Sequence, residues 1–328
     1  MIRSTEYPGA PAVSIVLPTF NRLKFLRKAV DSIFEQSFLD WELIIADDGS
    51  DSETAAFLAT LVNPPRVRLL RLQHTGNPSA ARNAALREAR GKYIAFLDSD
   101  DLWLPQKLER QLRAMAADPV RRWCYTALSR VDADGNLLPS EAARRRVLHG
   151  GAVLEKLLTL EIAVATPCVI AERALIQQAG GFDEEQKYFE EYDLWQRLSL
   201  ISDVIALEEP LALVRNHQEH YSNDRVGVCI ARLRLLNKLP LPESETYHMI
   251  LRLERAKTAA SLAAAYANNG QLRDTFKMLW RSRECAWQGR QWWRQSALSI
   301  ARVVAPSWLR EFVRRHRGRL HPAASSQV

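Results

Sequence analysis

The chain has 328 residues, 47% of them hydrophobic and 25% charged, with a formal net charge of +7 and four cysteines. This is the balance of a globular chain long enough for one large domain or two smaller ones, and it excludes disordered and fibrous classes. Cys124, Cys168, Cys229 and Cys285 lie far apart, so no metal-type pairing is suggested, and scattered thiols fit a reducing compartment.

The charge is uneven. Residues 1–224 carry 26 Lys+Arg and 32 Asp+Glu, whereas residues 225–328 carry 19 and 6. The basic third also holds Trp280, Trp287, Trp292, Trp293 and Trp308, five of the nine tryptophans. The two parts are therefore expected to do different jobs. No run of about 18 uninterrupted apolar residues predicts a spanning helix. No leader-like apolar run precedes the first strand, and a cytoplasmic location is expected.

In chain order, β-rich runs at Val13–Pro18, Trp41–Asp47, Val67–Leu72 and Tyr93–Leu97 alternate with helical patterns at Phe25–Gln36, Glu53–Leu61 and Ala80–Ala89. A further helix is predicted over Pro105–Met115. Such alternation implies βαβ units and a mostly parallel sheet. Runs such as VSIVL and LIIA suit strands covered on both faces. Beyond residue 130 the pattern is less regular. Gly180-Gly181-Phe182-Asp183 reads as a helix stop, Tyr192–Leu200 as a helix, and Val204–Leu207 and Leu211–Arg215 as short strands. From about residue 225 the pattern is helical, with Ser261–Ala267 and Asp274–Trp287 separated by an Asn268-Asn269-Gly270 turn.

In such sheets, ligands bind beyond the carboxyl ends of the strands, and four polar motifs stand there. Thr19-Phe20-Asn21-Arg22 follows the first strand and Asp47-Asp48-Gly49-Ser50-Asp51 the second. Gly76-Asn77-Pro78-Ser79-Ala80-Ala81-Arg82-Asn83 follows the third and Asp98-Ser99-Asp100-Asp101 the fourth. The last group has the oxygen ligands that Mg²⁺ or Mn²⁺ prefers and could hold a cation that bridges two phosphates; Asp100 or Asp101 could instead cap the helix near Pro105. Asp48 could accept a hydrogen bond from a base N–H, or the segment could be a plain turn. Arg82 sits in the first turn of a helix whose N-terminus favours anions, either as a phosphate fork or as a surface arginine.

Downstream, Phe189-Glu190-Glu191-Tyr192-Asp193-Leu194-Trp195 offers three carboxylates within four residues. One could be a general base, or all could complement the dipole of a helix. Helical spacing places Glu190 and Asp193 on one face and turns Glu191 elsewhere. Arg215-Asn216-His217, with Ser222 five positions after the histidine, could add a nitrogen ligand to a metal.

PTFNR, DDGSD, GxxxxARN, YIAFLDSDD, GGFDE, FEEYDLW and RxHxxxxS, taken in this order, resemble the family-2 glycosyltransferases of the GT-A fold over residues 13–225. The resemblance implies an α/β, Rossmann-like mixed and mostly parallel sheet flanked by helices, here with an all-helical C-terminal extension. It marks a transferase domain at 13–225 with a nucleotide-binding half (13–130) and an acceptor-binding half (131–225), preceded by a tail at 1–12 and followed by the basic helical extension at 226–328, which matches no motif of the family. It implies that Pro18, Thr19, Asn21 and Arg22 line the nucleotide site, that Asp48 contacts the base, and that Arg82 and Asp98 help hold the donor. Asp98 and Asp100 match the family's DxD metal motif, and His217 matches a histidine of the metal and diphosphate site. The family's base is usually the aspartate of a Glu-Asp pair; that position is Glu191 here, and Asp193 is the reserve.

The implied reaction is inverting, metal-assisted transfer from a nucleoside-diphosphate sugar, UDP-sugars being the commonest donors, to a glycan or lipid-linked acceptor in cell-surface polysaccharide or glycolipid synthesis. An inactive nucleotide-binding homologue that scaffolds a glycan assembly complex is the alternative. The C-terminal arginines, interleaved with Trp287, Trp292, Trp293, Trp308 and Phe312, suit peripheral association with an anionic membrane, or a helical cap with a solvated basic face. No recognition motif supports nucleic-acid binding. GxGxxG and GxxxxGK[ST] are absent, which argues against a dinucleotide-binding dehydrogenase and a P-loop kinase.

Overall fold

Residues Val13–Thr19 form strand β1, and all seven are buried. This is what a strand covered on both faces requires of an apolar run. The computed structural model describes residues 9–63, 65–138, 148–216, 224–283 and 296–300. Helix α1 (Leu23–Phe34) buries Leu26, Ala29, Val30 and Ile33, the i, i+3, i+4, i+7 stripe of an amphipathic helix. There follow β2 (Trp41–Asp47), α2 (Ser52–Leu61), β3 (Val67–Arg71), α3 (Pro78–Glu88), β4 (Tyr93–Phe96), β5 (Leu102–Trp103) and α4 (Lys107–Ala117). After these come β6 (Trp123–Val131), α5 (Leu154–Leu158), β7 (Val169–Glu172), α6 (Arg173–Gln178), α7 (Glu190–Ser199) and β8 (Val204–Arg215).

The strands make one sheet in the order β3-β2-β1-β4-β7-β6-β8-β5. Its first four strands are parallel, with Val13 opposite both Trp41 and Tyr93. β7 then pairs antiparallel with β4 and β6, while β6 and β8 run parallel. The chain order reverses between β1 and β4, and a crevice opens beyond carboxyl ends at such a switch point. The mixed, mostly parallel α/β sheet agrees with expectation. The second half is more regular than its sequence suggests: the two short runs after residue 204 are one twelve-residue strand. Its register slips where Pro210, which has no N–H to donate, stands opposite Ala127. Strands β5, β6 and β7 were not anticipated.

The chain divides into two compact units, Met1–His220 with Leu239–Leu241, and Tyr221–Lys238 with Pro242–Val328. The first encloses the main core, in which Trp123 and Trp195 stack at 6.1 Å and Phe96 and Phe182 meet edge to face at 5.5 Å. The second is helical: α8 (Arg225–Lys238), α9 (Glu245–Asn268) and α10 (Leu272–Arg281). α9 starts well before the expected Ser261. Its end is the Asn269-Gly270 turn, where Gly270 takes φ 74°.

Candidate active site

Two adjacent residues at the end of β1, Asn21 and Arg22, adopt left-handed conformations at φ 56° and 59°. Such strain persists where the surroundings over-determine it, and it clusters at functional sites. Here Asn21 ties the loops after β1 and β2 together. Its N–H donates to Ser50 Oγ (2.8 Å), and its Oδ1 accepts from Asp51 N–H (2.8 Å). Arg22 is thereby aimed across the switch point, where its guanidinium pairs with Asp100. Pro18 and Thr19 are buried beneath this turn, and Thr19 Oγ1 has no hydrogen-bond partner among the described residues.

The Asp48 carboxylate is filled by the loop after β3. Oδ1 accepts from Thr75 N–H (2.9 Å) and Thr75 Oγ1 (3.1 Å), and Oδ2 accepts from Gly76 N–H (2.8 Å) and lies 3.1 Å from His74 Nδ1. A carboxylate has about four acceptor positions. Asp48 therefore shapes the loop, with three hydrogen bonds accepted by its carboxylate and His74 Nδ1 2.8 Å from its backbone oxygen. Beside it, the rings of His74 and the exposed Phe20 stack at 4.1 Å.

Arg82, 4% exposed, is not a surface arginine. Asn77 caps α3 by accepting from Ser79 N–H (3.0 Å), which fixes the turn that carries Arg82. Arg82 Nη2 donates to Asp98 Oδ1 (2.7 Å) and Nη1 to Glu190 Oε1 (3.2 Å), and its guanidinium lies 5.2 Å from the Phe182 ring centroid. Burial opposes its charge, but Asp98 and Glu190 more than offset this and hold the cation firmly protonated. One guanidinium therefore joins the tip of β4 to the first turn of α7. Its neighbour Asn83 clamps the Gly180–Asp183 turn by donating to Phe182 O (2.9 Å) and accepting from Phe182 N–H (3.0 Å).

The acidic groups outnumber these cations. Burial raises the pKa of Asp98, with Arg82 opposing and Asp100 adding to the rise. Burial raises Asp101 further, reinforced by Asp100 and Asp98. Neither Asp100 nor Asp101 caps α4, whose N-cap is Gln106; Asp101 Oδ1 instead accepts the Arg215 N–H (2.9 Å). Crowded carboxylates with raised proton affinity are short of positive charge, which suits a hard divalent cation. Among the described residues no three acidic, histidine or cysteine side chains form a metal cluster. Two carboxylates suffice where substrate phosphates and water complete the shell. His217 and Ser222 lie outside the described residues, as do Trp287, Trp292, Trp293, Trp308 and Phe312.

α7 enters the site through Phe189, itself left-handed at φ 60°. The helix is fixed by Leu194 and Trp195, both fully buried, with Trp195 Nε1 donating to Val164 O (3.1 Å). The spacing argument about its carboxylates needs correction. Glu190 and Glu191 both stand beside Arg82, close enough to hydrogen-bond each other. Asp193 is fully buried with its carboxylate turned onto Arg197 one turn on (3.1 Å), which makes it an internal anchor of the helix. The charge of Arg82 draws both Glu190 and Glu191 of the first turn of α7, which ideal helical spacing alone does not capture. Burial, and then Glu190, push the Glu191 pKa well above the usual carboxylate range. Asn83 is given no role by the sequence reading, which names Glu190 only among three candidate bases and Asp101 only within the acidic group or as a cap; the signal for all three is adjacency to Arg82, Glu191 and Asp100 within the same motifs.

The sequence profile described as Glycosyl transferase family 2 matches residues 14–177. An uncharacterised glycosyltransferase of Rickettsia bellii is 30% identical over 203 residues, 62% of this chain and 28% of its own. The Escherichia coli UDP-Glc:alpha-D-GlcNAc-diphosphoundecaprenol beta-1,3-glucosyltransferase WfgD is 38% identical over 103 residues, 31% of this chain and 40% of its own. The chain spans about a third of the length of the first curated relatives it matches. Among solved structures, the mannosyltransferase PcManGT of Pyrobaculum calidifontis, in complex with GDP-Man and Mn²⁺, superposes with a TM-score of 0.57 at 18% identity, covering 92% of this chain and 88% of its own. With the profile spanning half of the chain and the sheet order and strand-end motifs in agreement, the protein belongs to glycosyltransferase family 2 and has the GT-A fold.

Proposed function

We propose that the protein transfers a sugar from a nucleoside-diphosphate sugar, a UDP-sugar, to a glycan or lipid-linked acceptor with inversion, in cell-surface polysaccharide or glycolipid synthesis. The observation that carries this reading is the convergence at the β1/β4 switch point of Arg22, Arg82, Asp98, Asp100, Glu190 and Glu191. The printed name of the Escherichia coli relative, a UDP-glucose-dependent enzyme with a diphosphoundecaprenol acceptor, supports the donor and acceptor classes.

The nucleobase stacks on the exposed Phe20–His74 pair, against the loop that Asp48 organises. Thr19 and Asn21 bound the ribose and diphosphate side, and Arg22 offers its fork to a phosphate in place of Asp100. A divalent cation held by Asp98 and Asp100, with His217 as a further ligand, would neutralise the departing diphosphate. Glu191 takes the proton of the acceptor hydroxyl as its oxygen attacks the anomeric carbon from the face opposite the leaving group. A raised proton affinity suits that work, because a base is most effective when its pKa approaches the working pH. The chain acts from the cytoplasmic side, peripheral to the membrane where lipid-linked acceptors reside.

The experiment is UDP release from a panel of UDP-sugars with Mn²⁺, with and without a lipid extract as acceptor. Wild type is expected to turn over one donor faster with acceptor, and Asp100→Ala to lose metal-dependent donor binding. Undiminished UDP affinity of that variant in Mn²⁺ would overturn the metal assignment. A thermal shift with UDP but no turnover of any donor would overturn the enzymatic reading.

A further inference from the structure

Helix α10 has two apolar faces, and only one of them is used. Thr275, Met278, Leu279 and Ser282 are buried, and Met278 and Leu279 share a core cluster with Leu262 and Ala263 of α9. Directly beside that face Leu272, Phe276 and Trp280 are 51%, 46% and 69% exposed. These three recur at every fourth position, so at about 100° per residue they form one narrow stripe. Single exposed apolar residues are ordinary; an aligned stripe ending in Phe and Trp is a patch that asks for a partner.

Charge says what the partner is. Arg273, Lys277 and Arg281 each follow a stripe residue by one position, and all three are exposed. Arg283 is exposed at the far end, its guanidinium 4.5 Å from the Trp280 ring. The one acid on the helix, Asp274, is half-buried and lies beyond the cationic edge, about 120° around from Trp280 and next to Arg281. A stripe of Leu, Phe and Trp edged by cations is the surface of a helix that lies in the plane of a membrane interface, with apolar side chains among the acyl chains and cations among anionic headgroups. A helix of ten residues spans only about 15 Å. Among the described residues none is long and apolar enough to cross a bilayer, so the contact is in-plane.

We propose that the outward face of α10, with Leu272, Phe276 and Trp280 as the apolar stripe and Arg273, Lys277, Arg281 and Arg283 as its cationic edge, docks the protein on an anionic lipid surface. It requires no assumption about donor or acceptor, since no α10 residue belongs to the candidate active site.

The test is co-sedimentation of the full chain with vesicles of phosphatidylcholine alone or with about one-third phosphatidylglycerol. Wild type is expected to pellet only with the anionic vesicles and to be released by high salt. Phe276→Ser with Trp280→Ser should lower vesicle partitioning at least about tenfold. Arg273→Glu with Lys277→Glu should lower it by about 25-fold or more, since each cation at such a surface is worth about fivefold. Melting temperature and UDP release in vesicle-free solution should stay at wild-type values for both pairs. Wild type remaining in the supernatant with anionic vesicles overturns the proposal. So does unchanged sedimentation of both variants, or a wild-type dimer that the Phe276/Trp280 variant dissolves. Because donor turnover is read without lipid, failure here and failure of the catalytic reading are separable.

Discussion

Phe20 and His74 form a flat, exposed surface beside a loop whose shape Asp48 fixes through four contacts. Base–aromatic stacking is worth about 1–3 kcal/mol. Phe20→Ala should therefore weaken UDP binding about tenfold or more by calorimetry while leaving the melting temperature of the free protein unchanged. Glu191→Gln keeps size and polarity but cannot accept a proton. Donor affinity should hold while transfer falls by about 10²–10⁴-fold in single-turnover assays; near-wild-type transfer would move the base elsewhere. Lys107 tests electrostatics within the core. It is wholly buried, donates to Gln111 Oε1 (2.8 Å), lies over the Trp103 ring at 4.1 Å, and its pKa is pushed down by burial to about 7. Above about pH 10 the amine is neutral in both folded and unfolded chains. As pH falls from there to about 7 the unfolded chain takes up the proton first, so folded stability declines by up to a few kcal/mol and then levels off. Lys107→Met should abolish that slope. Its melting temperature should exceed wild type by more at pH 7 than at pH 9.5.

Elements differ in how legibly the sequence wrote them. β1, β2 and α1 were readable because VSIVLPT and WELIIAD are buried throughout and α1 carries a clean 3.6-residue stripe. β6 and β7 were not. WCYTALSRV mixes apolar, hydroxyl and basic residues, and its burial comes from pairing with residues 44 or more positions later in the chain. β8 read as two pieces because Glu208-Glu209-Pro210 interrupts it, whereas the sheet absorbs the interruption as a bulge. In the site, the strand-end carboxylates and arginines were legible as types. Their partners were not, since Asn83 meets Phe182 and Arg82 meets Glu190 across separations near one hundred residues. One glycine shows how tightly the elements close. A Cβ on Gly91, at the entry to β4, would sit 2.5 Å from Ser14 N and 2.8 Å from Val13 C of β1. Gly91→Ala should cost about 1–3 kcal/mol in denaturant unfolding, because backbone of the central strand must move to admit it.

At the scale of the molecule, every described candidate site residue and the whole main core lie in the first unit, with the core ending at Ala212. A fragment of residues 1–224 should therefore unfold cooperatively and still show a melting shift with UDP and Mn²⁺. A fragment that melts without a transition would mean that the helical unit is required for folding. Within the first unit, Arg82 has a consequence for anyone who dissects the candidate site by substitution. The same cation serves Asp98 at the tip of β4 and Glu190 on the helix that carries the candidate base. Free energies measured at the two carboxylates will therefore not add. Asp98→Asn leaves Arg82 to Glu190 and Glu191, Glu190→Gln leaves it to Asp98 and Glu191, and the double variant leaves the buried guanidinium with Glu191 beside two amides. A thermodynamic cycle over these four proteins should show a coupling of about 0.5–3 kcal/mol. Kinetic losses ascribed to metal binding or to proton transfer from either single variant will each contain a share of the other.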